Sequence, residues 1–168
     1  MHLDLQQLMQ KDSVLKYLGI DPGLISGAWG CVNHNGEFVA CGDIPNADGR
    51  VQPRLLKIAL QEAIAKDPDG CEIIIEQAGV RPGQGMASSA AFMRATGCIE
   101  AVASLLLYPV HFVTPQCWKK HYGLIKTPKA ASLSLARSTW PSAGLKLAKH
   151  HGRAEALLMA AWGRGEFA

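Results

Sequence analysis

The chain has 168 residues, enough for one domain that buries about two thirds of its unfolded surface without disulfides or metals. No uncharged run approaches the ~20 residues of a membrane span, and the N-terminus lacks the pattern of a secretory signal, so we expect a soluble intracellular protein. The five cysteines form no C-x-x-C pair, which argues against a disulfide framework and a zinc knuckle.

The net charge of +3 is unevenly distributed along the chain. Residues 1–113 carry 8 Lys and Arg against 12 Asp and Glu, whereas residues 114–168 carry 9 against 2. A basic segment of this kind is typical of proteins that bind a polyanion such as nucleic acid, although it would also serve solubility alone.

The first part of the chain predicts an N-terminal extension followed by three antiparallel strands. Residues 1–14 have weak helical spacing, and the remaining residues, 15–168, are predicted to form a single domain. The strands are predicted at 15–21, 26–33 and 37–42, with Asn35-Gly36 as the hairpin turn. Asp21 therefore ends the first strand, just before a Pro-Gly turn.

The second part alternates predicted helices with strands. The isoleucine-rich run at 71–77 is typical of a strand buried on both faces and lying parallel to its neighbour, and it contains Glu76 near its end. A further strand is predicted at 110–113. Helices are predicted at 55–64, 86–107, 128–140 and 152–162, with a short helical turn after 114, and loops at 43–53 and 78–85.

This order is similar to that of ribonuclease H-like proteins. It predicts an α/β fold with a five-stranded mixed sheet, in which three antiparallel strands are followed by two parallel strands and helices flank the sheet.

Three carboxylates and one imidazole stand out as candidate ligands. Asp21 and Glu76 lie at strand ends, while His151 and Glu155 are four residues apart and share one face of an apolar helix. Each has an ordinary alternative, because Asp21 alone suits a surface turn and Glu155 could pair with Arg153 or cap its helix. Together they are hard donors that suit Mg²⁺ or Mn²⁺, and two such ions can promote phosphodiester hydrolysis.

Five segments in this order resemble the RuvC-type Holliday junction resolvases, and the last is most similar to the phage and chloroplast branches of that family. The resemblance runs from residue 18 to residue 165. The segments are GIDPGLISGAWG, IIIEQ, VTPQCWKKHYGL, the K-x-x-S of Lys129 to Ser132, and HHGRAEALLMAAWGRG.

The resemblance implies which residues hold the metal. Asp21, Glu76, His151 and Glu155 would bind two Mg²⁺ or Mn²⁺ ions, although many members of the family have Asp in place of His151. Lys119, or its neighbour Lys120, and Lys129 would lie near the scissile phosphate, where general phosphate contact is the alternative for each lysine. The chain departs from close relatives at Ala130-Ala131, where acidic residues are common.

The resemblance also implies a substrate and an assembly. The substrate would be a four-way DNA junction cut by symmetric paired nicks, and the protein would be a homodimer built through the helix at 86–107. One of Val80, Met86 and Phe92 would insert between unstacked bases. The residues predicted to contact DNA are Arg81, Gln84, Met86, Phe92, Lys119, Lys120, Lys126, Lys129 and Arg153.

Three other functions share some of these features. A different ribonuclease H-like nuclease, acting on RNA–DNA hybrids or branched DNA, would use the same metal chemistry. A non-catalytic junction-binding module would not need the carboxylates. A phosphate-binding ATPase of the actin and sugar-kinase type shares the D-x-G turn, but that fold needs two such domains, which 168 residues cannot hold.

Overall fold

The computed structural model describes residues 15–64, 70–77, 79, 83 and 85–167. The predicted extension at residues 1–14 lies outside this part of the chain, and so do Val80, Arg81 and Gln84.

Within the described residues, five strands form one mixed sheet. They are β1 (Lys16–Asp21), β2 (Ala28–Asn33), β3 (Phe38–Asp43), β6 (Cys71–Glu76) and β7 (Val110–Val113). Their order across the sheet is β3-β2-β1-β6-β7. Strand β1 pairs antiparallel with β2, which pairs antiparallel with β3, whereas β6 lies parallel to β1 and β7 parallel to β6. The predicted arrangement of three antiparallel strands followed by two parallel ones is confirmed.

Helices cover both faces of the sheet. They are α1 (Pro53–Ile64), α2 (Met86–Ser104), α3 (Pro115–His121), α4 (Lys129–Thr139) and α5 (His151–Glu166). The helices α1 and α2 pack with Leu18, Ile20 and Ile73 in one hydrophobic core, while α3, α4 and α5 pack with Tyr17 and Ile74 in a second core. Neighbouring residues of β1 and β6 alternate between the two cores, as expected for strands buried on both sides.

Helix α5 approaches the sheet closely because two strand residues lack side chains. A Cβ atom at Gly19 would collide with the backbone oxygen of Ala156, and one at Gly30 would lie 2.8 Å from the backbone nitrogen of Leu157. These glycines therefore set the depth at which α5 lies on β1 and β2.

Several predicted boundaries were wrong. The stretch at 43–53, predicted as a loop, contains a small hairpin of β4 (Asn46–Ala47) and β5 (Arg50–Val51). Helix α2 ends at Ser104 rather than Leu107, and α5 continues to Glu166 rather than ending at Trp162. Within α5, Gly163 lies against the Ile74 side chain, 2.7 Å from where its Cβ would stand, so its small size serves packing.

Candidate active site

The turn after β1 presents Asp21 at the edge of the sheet. Asp21 is half-buried and follows five buried residues of the strand. The chain then reverses in a tight turn, where a Cβ at Gly27 would collide with the backbone of Gly23. Burial raises the pKa of Asp21 well above its usual value, and the nearby Glu76 and Glu155 carboxylates raise it further, while Lys119 and Lys129 oppose them.

The neighbouring strand brings Glu76 to the same edge. Ile20 of β1 is in register with Ile75 of the parallel strand β6, so Asp21 and Glu76 end adjacent strands side by side. Glu76 is only 9% exposed, and its Oε2 accepts a hydrogen bond of 2.9 Å from the indole nitrogen of Trp118. This charged group is thus buried with a donor on one oxygen.

The start of α5 supplies Glu155 and His151. Lys119 on α3 donates to Oε2 of Glu155 at 3.2 Å, and its Nζ lies 3.1 Å from Oε1. The buried hydroxyl of Ser132 on α4 donates to Oε1 at 3.1 Å. Three helices therefore meet at this one carboxylate.

His151, rather than its neighbour His150, lies at the cleft described below. His150 is buried in the turn before α5, where its Nδ1 accepts a hydrogen bond of 3.4 Å from the Leu147 backbone. His151 is the first residue of α5 and is half-buried.

A cleft of about 750 Å³ joins these side chains. Of the predicted residues that the structure describes, Met86, Lys120, Lys126 and Arg153 lie outside its lining. The geometry therefore gathers the predicted carboxylates, the imidazole and two of the lysines at one place. The predicted residues that line the cleft are Asp21, Glu76, Phe92, Lys119, Lys129, His151 and Glu155.

The donor set fits a divalent cation in chemistry. Its members are hard oxygen donors and one imidazole, and the mutual repulsion that raises the pKa of Asp21 is the kind that a cation relieves. Among the described residues, however, no three His, Cys, Asp or Glu side chains are gathered closely enough to hold an ion as they stand. Lys119 supplies positive charge to Glu155 instead.

Arg153 does not pair with Glu155, which had been an alternative interpretation of that carboxylate. Its guanidinium makes two hydrogen bonds to Asp43 at the end of β3, of 2.6 and 2.8 Å. This bidentate pair ties the first turn of α5 to the far edge of the antiparallel strands. Arg153 remains a predicted DNA contact, but Asp43 neutralises its charge.

The Asp43–Arg153 pair predicts a pH-dependent contribution to stability. The hydrogen bond from Arg153 lowers the pKa of Asp43, so the contribution is present at neutral pH and is lost as the pH falls below the unfolded value of about 3.9, through the lower folded value. Because Asp43 is 57% exposed, it should be at most about 1 kcal/mol. Urea unfolding should therefore show Asp43→Asn less stable than the parent at pH 7, with the difference narrowing towards pH 3. A difference that is constant with pH would contradict this assignment.

Comparisons with known proteins give mainly structural matches. No protein-family model matches the chain. It is similar to the chloroplastic Holliday junction resolvase MOC1 of Chlamydomonas reinhardtii, with 34% identity over 94 residues, which cover 54% of this chain and 11% of that protein. The chain thus spans about a tenth of the length of that relative.

Solved structures match over most of the chain. Thermus thermophilus RuvC in complex with a Holliday junction substrate matches with a TM-score of 0.63 and 16% identity, over 88% of this chain and 91% of that one. The chain therefore has the fold of RuvC, a ribonuclease H-like fold. A second T. thermophilus RuvC structure gives a TM-score of 0.58 at 17% identity, over 88% and 92% of the two chains. The yeast mitochondrial Holliday junction resolvase Ydc2 gives 0.51 at 17% identity, over 90% and 78%.

Two residues that bond to carboxylates of the cleft in this RuvC-like fold were missed as site residues. Trp118 and Ser132 both bond to carboxylates that the sequence had singled out. For Ser132 a signal existed, because Lys129 and Ser132 are three apart on a helix and so share a face. For Trp118 the sequence offered only its place beside Lys119.

Among the described helices, none combines the length and apolar character needed to cross a bilayer.

Proposed function

We propose that this protein is a divalent-metal-dependent endonuclease that resolves four-way DNA junctions by paired nicks. The observation that carries the proposal is the meeting of Asp21, Glu76, His151 and Glu155 with two lysines at one cleft of a RuvC-type fold. The relatives support it, because one is named a Holliday junction resolvase and one solved RuvC holds a junction substrate. Residues 15–168 would form a single nuclease domain.

The four cleft side chains Asp21, Glu76, His151 and Glu155 would hold two Mg²⁺ or Mn²⁺ ions. Bound there, the ions would supply the charge that activates a water and stabilises the leaving oxygen of a phosphodiester. Asp21 and Glu76 project from adjacent strand ends, a rigid base, whereas His151 and Glu155 come from one helix. The fold thereby brings together ligands that are separated by more than a hundred residues in sequence.

The lysines would contact the DNA backbone in two ways. Lys119 and Lys129 line the cleft, where they would neutralise the phosphate being cut. Lys120 and Lys126 are exposed and outside the cleft lining, which suits contacts to flanking phosphates. Phe92 lines the cleft and Met86 is 89% exposed, so both are placed to meet DNA.

The protein would act as a homodimer through α2. A four-way junction has two equivalent strands to cut, and two sites related by a two-fold axis can cut them symmetrically. The helix supports this proposal because it is rich in small residues and leaves Met93 53% exposed beside Gly97, which is also exposed. Small residues allow a second helix to approach closely.

The function is tested with a synthetic four-way junction that has a mobile core, incubated with Mg²⁺, with nicks mapped on all four strands. We expect symmetric nicks on two opposing strands. An RNA–DNA hybrid and a single-flap DNA serve as comparison substrates. Faster cleavage of the hybrid or the flap than of the junction would overturn the proposed substrate in favour of another ribonuclease H-like nuclease.

Replacing His151 by Asp tests its role as a ligand. Asp also offers a ligand atom at this position, so cleavage should survive, and the harder oxygen should shift the ratio of rates in Mg²⁺ and Mn²⁺ towards Mg²⁺. The matched variant is His150→Asp, whose parent side chain is buried and bonded to the backbone. An unchanged ratio in His151→Asp would argue that His151 is not a ligand.

A further inference from the structure

The indole of Trp118 contacts one carboxylate of the proposed metal site and the lysine that reaches another. Trp118 is fully buried at the centre of α3, and its Nε1 donates the 2.9 Å hydrogen bond to Oε2 of Glu76. The Nζ of Lys119 lies 4.9 Å from the centroid of the same ring, which is a cation–π contact. Lys119 in turn reaches Glu155. One side chain thus connects the strand-end carboxylate to the helix carboxylate through its neighbour.

An indole N–H can only donate, so its bond to Glu76 has a fixed polarity. A carboxylate that is 9% exposed is costly to bury, and a donor on its Oε2 offsets part of that cost and limits its rotation. The donor itself cannot move far, because Trp118 has no exposed surface and packs in the core formed with α4 and α5. The hydrogen bond therefore holds the Glu76 carboxylate to a side chain that is fixed in the core.

We propose that Trp118 is a positioning residue that fixes the orientation of Glu76 for binding a divalent cation. The inference rests on the proposed metal-dependent function and adds a residue to it. Partners that orient a metal-binding carboxylate or imidazole are worth about 10- to 100-fold in metal affinity or activity. Trp118 does not touch substrate or metal itself, so it acts through Glu76.

A second buried tryptophan provides a matched control. Trp140 is 5% exposed, and its Nε1 donates a hydrogen bond of the same length, 2.9 Å, to the backbone oxygen of Gly36 in the β2–β3 hairpin. Replacing either tryptophan by Phe removes one buried N–H donor and keeps an aromatic ring. If Trp118 served packing alone, the two variants would behave alike.

The experiment compares Mn²⁺ binding by the parent, Trp118→Phe and Trp140→Phe proteins, counting free Mn²⁺ by electron paramagnetic resonance. We expect about 10- to 100-fold weaker binding in Trp118→Phe and parent-like binding in Trp140→Phe. The Mg²⁺ concentration for half-maximal cleavage should rise in parallel, with a smaller change in the rate at saturating Mg²⁺. Equal Mn²⁺ affinity in all three proteins would overturn the proposal.

Nuclear magnetic resonance tests the contact without metal or activity. The chain has four tryptophans, and the Trp118→Phe variant identifies the Trp118 indole N–H signal by its loss. Glu76→Gln should shift that signal and leave the Trp140 signal in place, because Trp118 bonds to the altered group and Trp140 bonds to the backbone of Gly36. An unmoved Trp118 signal would overturn the proposal. If the Phe variant failed to fold, four unmoved indole N–H signals in Glu76→Gln would overturn it equally.

These measurements separate the inference from the proposed function. If the parent protein binds Mn²⁺, Trp118→Phe binds it weakly and no junction is cut, the positioning role stands and the proposed substrate is wrong. If junctions are cut at the same Mg²⁺ concentration by parent and variant, the function stands and the positioning role is wrong.

Discussion

An Asp21→Asn variant should bind a four-way junction as tightly as the parent protein and cut it about a thousand-fold more slowly, or worse. In the proposed function, binding depends on the basic residues of the segment 114–168, which this substitution leaves unchanged. Cleavage would depend on the negative charge at the end of β1. Loss of a proposed metal ligand would remove several kcal/mol of charge stabilisation, and each ~1.4 kcal/mol is a factor of ten in rate.

The same substitution should stabilise the protein in the presence of a chelator. The pKa of Asp21 is raised in the folded state, so its contribution to stability is greatest at low pH and is lost as the pH rises through the folded value. At a pH above its folded pKa, the ionised Asp21 repels Glu76 and Glu155. A neutral Asn relieves this repulsion, and the thermal midpoint in EDTA should rise. Loss of cleavage with a higher midpoint cannot be attributed to misfolding.

Gel-shift titration without divalent ions and single-turnover cleavage with Mg²⁺ would measure the two effects. Asp48→Asn is the matched control, because Asp48 is exposed at the tip of the β4–β5 hairpin, and its positive φ of 51° is one that Asn tolerates. The control should cut junctions at the parent rate. Parent-like nicking by Asp21→Asn would remove the basis of the proposed metal site.

The strand ends could be predicted from sequence because two signals coincide there. Buried runs of apolar residues stop at Asp21 and Glu76, and parallel strands that follow helical crossovers bring their carboxyl ends to one edge. The hairpin of β4 and β5 could not be predicted in the same way. Its strands are two residues long, too short for an alternating pattern to develop.

The contacts among side chains at the cleft could not be predicted from the sequence, for a different reason. For Glu155, the ordinary alternatives offered by the sequence were an ion pair with Arg153, two residues away, or a helix cap. The structure pairs Arg153 with Asp43 and Glu155 with Lys119, at separations of 110 and 36 residues. Which side chains pair with Glu155 and Arg153 depends on where α3 and β3 lie relative to α5. A single sequence does not give those relative positions.

The depth of α5 on the sheet controls both stability and the site. Gly19→Ala should lower the free energy of unfolding by about 1–3 kcal/mol or more, because the new Cβ would collide with the backbone oxygen of Ala156 and lie 2.9 Å from the nitrogen of Ala160. Backbone atoms cannot rotate away, so the helix must shift. Since α5 carries His151 and Glu155, cleavage should fall with stability.

Urea unfolding and junction cleavage would test this, with Gly165→Ala as the matched control. Gly165 lies in the same helix and is exposed, and a Cβ there would meet nothing within 4 Å. Because Ala is the better helix former, the control should be as stable as the parent or more stable, by up to about 1 kcal/mol. If Gly19→Ala were as stable and active as Gly165→Ala, close contact between α5 and β1 would not be what places Glu155 beside Asp21 and Glu76.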